Sequence, residues 1–172
     1  MYKAILFSIL TLFGSYCTYQ AALIPQNFEL KNINIIEGKT KDDKEIMTIK
    51  ISKLDIENKI YNFESNLNNI DKNVIILKGS SMPDKNGVLL IGAHSGTGKL
   101  AYFKNLNKIK INDVVEIKYN NKIYKYRVLK KYLDKKDGSI NFNNSNNSKK
   151  LILYTCNPND KENFLVVICN PI

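Results

Sequence analysis

Two side chains in this sequence could act together as a nucleophile and its base. His94 is the only histidine of the 172-residue chain, and it follows the apolar run "VLLIGA". Cys156 follows another apolar run, "LILYT", and precedes a turn-rich "NPND". A nearby imidazolium stabilises a thiolate, which at an ordinary pKa of about 8.5 is otherwise scarce at neutral pH. The same imidazole can then protonate a leaving amine. The pair therefore indicates acyl transfer through a cysteine.

A structural role or metal binding is the alternative for each of these two residues. A single histidine or cysteine is more often structural, but here both end apolar strands in the same way. One histidine and one cysteine fall short of the three or four ligands of a usual metal site, so no metal is expected. The sequence also predicts no cofactor.

The kind of positive charge on this chain argues against nucleic-acid binding. The formal net charge is +10, carried almost entirely by lysine, and Arg127 is the only arginine. Base recognition and bidentate phosphate contacts favour arginine, and the lysines form no block, so nucleic-acid binding is not expected. A basic surface near anionic lipids or wall polymers fits better. Arg127 itself lies in a lysine-rich stretch and is predicted on a solvated strand face.

The elements that must position His94 and Cys156 are predominantly strands. Alternating or continuous apolar runs bounded by turn residues predict seven or eight of them. The Asn120-Asn121 pair predicts a hairpin, and apolar residues at 100, 103 and 106 predict a short helical turn. This pattern is typical of an all-β barrel or sandwich. The predicted strands lie in the segments 45–62, 73–80, 87–95, 113–133, 150–155 and 163–169.

The N-terminal residues predict a membrane segment. Residues 1–28 carry one charge, Lys3, and residues 4–24 are mostly apolar. About 20 such residues cross a bilayer core, and Lys3 favours a cytoplasmic N-terminus. We expect an uncleaved signal-anchor, with a cleaved signal peptide as the alternative because the most apolar part is short. Residues 29–45 are predicted as a linker and residues 46–172 as an extracellular catalytic domain on a single-pass membrane protein.

The remaining cysteines are not expected to form a disulfide. Cys156 and Cys169 lie on two predicted strands joined by a short turn, and Cys156 should face about residue 163. Cys169 is then about six residues further along, near 20 Å. A disulfide needs Cα atoms within about 7 Å, so both thiols are predicted to be free.

The residues around Cys156 resemble the sortases, the cysteine transpeptidases of the Gram-positive cell surface. Their nucleophile motif is T-L-x-T-C, and residues 152–156 read "ILYTC". Leu153, Thr155 and Cys156 match, and Ile152 replaces the first threonine. The N-terminal anchor agrees with this family, and the resemblance covers about residues 46–172.

Two further segments are similar to sortases. The family histidine follows an apolar strand, as His94 does in "LLIGAHSG". The stretch "YFKNLNKIKINDVVEI" is similar to the family segment F-x-x-L-x-x-L-x-x-G-D-x-V, with Asn112 in the glycine position. These motifs occur in the order expected for the family.

The resemblance implies a closed sortase-type β-barrel and a mechanism. Cys156 would attack a backbone carbonyl of an LPXTG-like sorting signal and form a thioacyl-enzyme, and His94 would transfer the protons. The acceptor would be a cell-wall peptide or a pilin amine. Thr155 and nearby backbone N–H groups would help to form the oxyanion hole. The loop from Asp134 to Lys149 would border the substrate groove.

One family residue is missing. Sortases carry an arginine on the last strand in a context like R-[LF]-[VL]-V, and Asn163 in "ENFLVVI" is predicted to take that place. Lys161 and Lys130 are candidates to supply the positive charge of the missing arginine. Two alternatives therefore stay open: a catalytically degenerate sortase-like binding module, and a cysteine hydrolase without transfer activity.

Overall fold

The computed structural model describes five parts of the chain, which together contain the whole predicted catalytic domain apart from two short gaps and Gly138. They are residues 26–29, 43–137, 139–142, 148–157 and 159–172. The predicted signal-anchor, except for its last three residues, and most of the predicted linker lie outside them. No helix of the described parts is long and apolar enough to span a bilayer.

The described residues form strands connected by turns and two 3-10 helices, at Ser52–Leu54 and Leu106–Lys108. The second helix lies where the spacing of apolar residues predicted a helical turn. The strands are β1 (Gln26–Glu29), β2 (Glu45–Ile51), β3 (Ile56–Tyr61), β4 (Ile75–Ile76), β5 (Gly87–Gly92), β6 (Val114–Tyr119), β7 (Lys122–Lys135), β8 (Ser139–Phe142), β9 (Lys149–Asn157) and β10 (Asp160–Pro171).

Eight of these strands form one sheet that nearly closes into a barrel. Their order is β3-β2-β6-β7-β10-β9-β5-β4. All neighbouring pairs are antiparallel except β5 and β9, which are parallel. A bridge between Ile60 and Val74 joins the two edges of the sheet. The remaining strands, β1 and β8, pair with each other. The prediction of an all-β barrel with seven or eight strands is confirmed.

Left-handed backbone at three asparagines explains two of the turns. Asn120 and Asn121 have φ of 49° and 59° and connect β6 to β7, as expected for the predicted hairpin. Asn112, in the glycine position of the resembling motif, has φ of 72°. Asparagine is among the few residues other than glycine that adopt this conformation readily, so the replacement preserves the turn.

Buried side chains separate into an inner core and an outer cluster. The inner core fills the barrel and takes side chains from β2, β3, β5, β6, β7, β9 and β10. The outer cluster lies on the opposite face of the sheet, where β8 covers β5, β9 and β10. It consists of Ile75, Leu77, Val88, Leu90, Ile140, Phe142, Ile152, Tyr154, Val166 and Ile168. Alternation along a strand assigns neighbouring residues to different faces.

Candidate active site

The parallel pairing of β5 with β9 brings His94 and Cys156 together. Its register places Gly92 opposite Tyr154, and His94 and Cys156 each follow two residues later. Ala93 belongs to the inner core, so its neighbour His94 is directed to the outer side. Tyr154 belongs to the outer cluster, and Cys156 shares its face by the same alternation. The two predicted catalytic residues therefore lie at the same ends of adjacent strands and on one face.

Three hydrogen bonds hold these strand ends together beyond the regular pairing. The Thr155 hydroxyl donates to the Ala93 carbonyl at 2.7 Å, and the Ala93 N–H donates to the Tyr154 carbonyl at 3.4 Å. The Ser95 hydroxyl donates to the Cys156 carbonyl at 2.5 Å. These contacts fix the chain on both sides of His94. The Thr155 side chain is buried, so its hydroxyl positions the strands here.

The Tyr154 ring forms an apolar surface beside His94 and Cys156. A Cβ at Gly92 would lie 2.2 Å from the Tyr154 ring, so only glycine lets the ring lie across β5 at this point. The ring meets Phe164 edge to face, with centroids 5.9 Å apart. Burial, and secondly the charge of Cys156, raise the pKa of Tyr154 well above its usual range, so the phenol stays neutral.

The two cysteines of the described parts are free, as predicted, but differ in environment. Cys156 is half-buried, whereas Cys169 is fully buried. Burial raises the pKa of the Cys169 thiol to about 12, which keeps it protonated and unreactive. Cys169 lies opposite Leu151 on β9, five positions from Cys156. Of these two thiols, only Cys156 is placed to act as a nucleophile.

His94 has an acidic partner that the sequence did not reveal. Its Nε2 lies 3.3 Å from Oδ1 of Asp71, in the connection between β3 and β4. That connection is held by Ile70, which packs on the outer cluster, and by the Asp71 N–H, which donates to the Asn69 side chain at 2.8 Å. The contact occupies Nε2 and leaves Nδ1 for proton transfer. It also restricts the orientation of a ring that is 41% exposed.

The structure places Phe164, and not Asn163, opposite Cys156. Phe164 pairs with Cys156 between β10 and β9 and packs on the outer cluster. Alternation directs Asn163 to the other face, where its amide donates to the Asp160 carboxylate. The family context R-[LF]-[VL]-V fits "FLVV" from Phe164 as well as "NFLV" from Asn163. On the face of Cys156, the position predicted for Asn163 is therefore held by an aromatic ring.

The other cations named from the sequence lie elsewhere or outside the described parts. Lys130 pairs with Ile168, four residues along β10 from Phe164, or about 13 Å. Its amine lies 4.7 Å from the centre of the Tyr132 ring. Arg127 is exposed and lies further away, opposite Asn170. The side chain of Lys161 is outside the described part of the structure.

The predicted substrate loop, Asp134 to Lys149, contributes directly to the face that carries Cys156. It contains β8, whose Ile140 and Phe142 are buried in the outer cluster with Tyr154. Residues 143–147 of this loop lie outside the described parts. No group of three or more His, Cys, Asp or Glu that could hold a metal ion occurs among the described residues.

Comparison with known proteins identifies the family. A family model described as a sortase domain matches residues 49–172. The chain therefore belongs to the sortase family, which supports a cysteine transpeptidase in general. No match was found among curated proteins.

Solved structures with the same fold come from several sortase classes. Sortase A from Corynebacterium diphtheriae is 20% identical, with 98% of this chain and 85% of that chain covered and a TM-score of 0.67. Streptococcus pneumoniae sortase C is 24% identical, with 74% of this chain and 68% of that chain covered and a TM-score of 0.64. A Clostridium perfringens sortase D5 transpeptidase is 20% identical, with 75% of this chain and 79% of that chain covered and a TM-score of 0.62. At these identities the likeness establishes the fold and does not assign a class.

Proposed function

We propose that this chain is a membrane-anchored sortase in which Cys156 and His94 carry out transpeptidation. The substrate is a surface protein with an LPXTG-like sorting signal, and the acceptor is an amine of a cell-wall peptide or a pilin. The observation that carries the proposal is the placement of the only histidine and a half-exposed free cysteine at adjacent ends of β5 and β9. The anchor of residues 1–28 would hold the domain at the outer surface of the cell membrane.

The first half-reaction forms a thioester. The Cys156 thiolate attacks the carbonyl carbon of the signal, and the carbonyl oxygen becomes negatively charged. Backbone N–H groups near Thr155 and Cys156 are candidate donors to that oxygen. The C–N bond then breaks, and the His94 imidazolium gives its proton to the departing amine. Asp71 keeps the imidazole oriented during this transfer.

The second half-reaction restores the enzyme. An incoming amine attacks the thioester carbon and loses a proton to the now neutral His94. The C–S bond breaks and Cys156 leaves as the thiolate. Water could take the place of the amine, which is the chemistry of the alternative hydrolase. The apolar ring of Tyr154 and the cover provided by β8 favour transfer, because they reduce access of water to one side of the site.

The test separates the three functions in one experiment. The protein is incubated with a library of sorting-signal-like peptides, with and without an added amine, and products are identified by mass spectrometry. We expect an amine-ligated product that Cys156→Ala does not form. Cleaved peptide without ligation, at any amine concentration, would identify a hydrolase. No product with any peptide would favour a binding module and overturn the proposal.

A further inference from the structure

A lysine from a neighbouring strand lies over the ring that faces Cys156. Lys136 directly follows β7, and its backbone N–H donates to the Glu162 carbonyl at 3.0 Å, which places it beside the beginning of β10. Its amine lies 5.3 Å from the centre of the Phe164 ring. This distance is typical of a cation–π contact. The side chain therefore extends from β7 onto the face that carries the candidate active site.

The strand order explains how this amine comes near the reaction. Across the sheet, β7, β10, β9 and β5 are consecutive neighbours. On one face they present Lys136, Phe164, Cys156 and His94, and Phe164 and Cys156 pair directly. Lys136 lies two strands from Cys156 and two residues beyond Asp134, the residue in register with Phe164, so the backbones of Lys136 and Cys156 are about 12 Å apart. Because the lysine side chain leans over Phe164, its charge is closer to Cys156 than its backbone is.

Two acidic groups lie near this amine. Asp134 lies on β7 opposite Phe164, and Asp160 is the first residue of β10. The Asp160 carboxylate already accepts from the Asn163 amide and from the Glu162 N–H. Those contacts, and in smaller part the charge of Lys136, lower the pKa of Asp160. Lys136 is therefore also close to the start of β10, the strand that pairs with the Cys156 strand.

We infer that Lys136, which follows β7 and lies over the Phe164 ring, supplies the positive charge of this active site. This charge stabilises the oxygen of the substrate carbonyl that Cys156 attacks. The inference rests on the proposed function, in which negative charge develops on that oxygen during attack. Phe164 places an uncharged ring at the position opposite the nucleophile, and the cation on this ring stabilises an anion at its edge. Lys130, about 13 Å along the sheet, cannot act in this way.

The direct test measures the electric field at Cys156 without a peptide substrate. Iodoacetate carries a negative charge and iodoacetamide is neutral, so the ratio of their alkylation rates at Cys156 reports a nearby cation. The rates are read by peptide mapping, which separates Cys156 from the other cysteines. We expect Lys136→Met to lower the ratio about threefold, and Lys136→Arg to retain it.

The neighbouring residue provides a matched control. Lys135 is also exposed and pairs with Asn163, so alternation directs it to the other face. Lys135→Met makes the same charge change one residue away and should leave the ratio unchanged. An unchanged ratio in Lys136→Met, or an equal fall in both variants, would overturn the inference.

A second measurement tests whether a positive charge on the adjacent strand, β10, can replace that of Lys136. With a peptide that the enzyme processes, Lys136→Met should lower kcat/KM about tenfold, and adding Phe164→Arg should recover most of the loss. Normal turnover in Lys136→Met would overturn the inference and leave the proposed function intact. If no peptide is processed, the proposed function fails, while the alkylation ratio still decides whether Lys136 acts on Cys156.

Discussion

The two faces of β9 differ in how far along the strand burial continues. On the inner face Leu151, Leu153 and Thr155 are all buried, and the Thr155 hydroxyl donates to the carbonyl of Ala93, directly after β5. On the outer face Ile152 and Tyr154 are buried, but Cys156 is partly exposed. One strand thus closes the barrel with one set of side chains and presents a nucleophile with the other. Stability and chemistry should therefore respond to different substitutions within a few residues.

The strongest test of this separation is removal of the outer-face thiol. Cys156→Ala should lower acyl transfer by at least about 10⁴-fold, because no other group at the site can form the thioester. The free energy of unfolding should change by less than about 1 kcal/mol, since the side chain is small and half-buried. Peptide turnover and urea unfolding measure the two effects. A large loss of stability would show that Cys156 also supports the fold.

An inner-face substitution should give the opposite result. Leu153 is fully buried in the inner core, and Leu153→Ala should lower the free energy of unfolding by about 2–5 kcal/mol. Turnover per folded molecule should stay near the wild-type value at a temperature where the variant is folded. Turnover that falls as strongly as in Cys156→Ala, with the fold intact by circular dichroism, would contradict the separation.

A substitution at Gly92 should affect stability and turnover together. Gly92→Ala introduces a Cβ that would lie 2.2 Å from the Tyr154 ring, so the ring or the end of β5 must shift. We expect a loss of about 1–3 kcal/mol in unfolding free energy, together with reduced turnover because His94 follows two residues later. Tyr154→Leu removes the ring, so Gly92→Ala should cost less in that background. Equal costs in both backgrounds would mean that the ring does not require this glycine.

The smallest expected effect concerns the orientation of His94. Asp71→Asn keeps the shape of the side chain and removes its charge. Because both members of the pair are exposed to solvent, kcat should fall only about two- to fivefold, with KM nearly unchanged. Asp84→Asn, a charge-matched change at an exposed site, is the control. A loss of stability without a change in kcat would show that Asp71 stabilises its loop and does not orient His94.

Local patterns predicted most of the fold. The apolar runs before His94 and Cys156 indicated strands, and the Asn120-Asn121 pair indicated the hairpin, because strand periodicity and turn chemistry are properties of neighbouring residues. The parallel pairing of β5 with β9 joins segments about 60 residues apart. No local rule predicts that pairing; the like placement of His94 and Cys156 at strand ends and the resemblance to sortases suggested that the two residues act together.

The parts of the site that sequence reasoning missed depend on distant contacts or on register. Asp71 lies in an asparagine-rich connection with no characteristic spacing from His94, and the Ser95 contact depends on the same strand pairing. The irregular register between Asp160 and Phe164 moved the residue opposite Cys156 from the predicted 163 to Phe164. Aligning the family context R-[LF]-[VL]-V from Asn163 put that residue in the place of the arginine, but in a strand a shift of one residue reverses the face.

The most direct test of the central claim is to trap the covalent intermediate. The full chain is incubated with a processed peptide, without an added amine, and quenched in acid, and the adduct is located by intact-mass analysis and peptide mapping. We predict a thioester on Cys156 whose formation is strongly slowed in His94→Ala and is absent in Cys156→Ala. Peptide processing without an adduct at Cys156, or continued processing by Cys156→Ala, would contradict the assignment of Cys156 as the nucleophile.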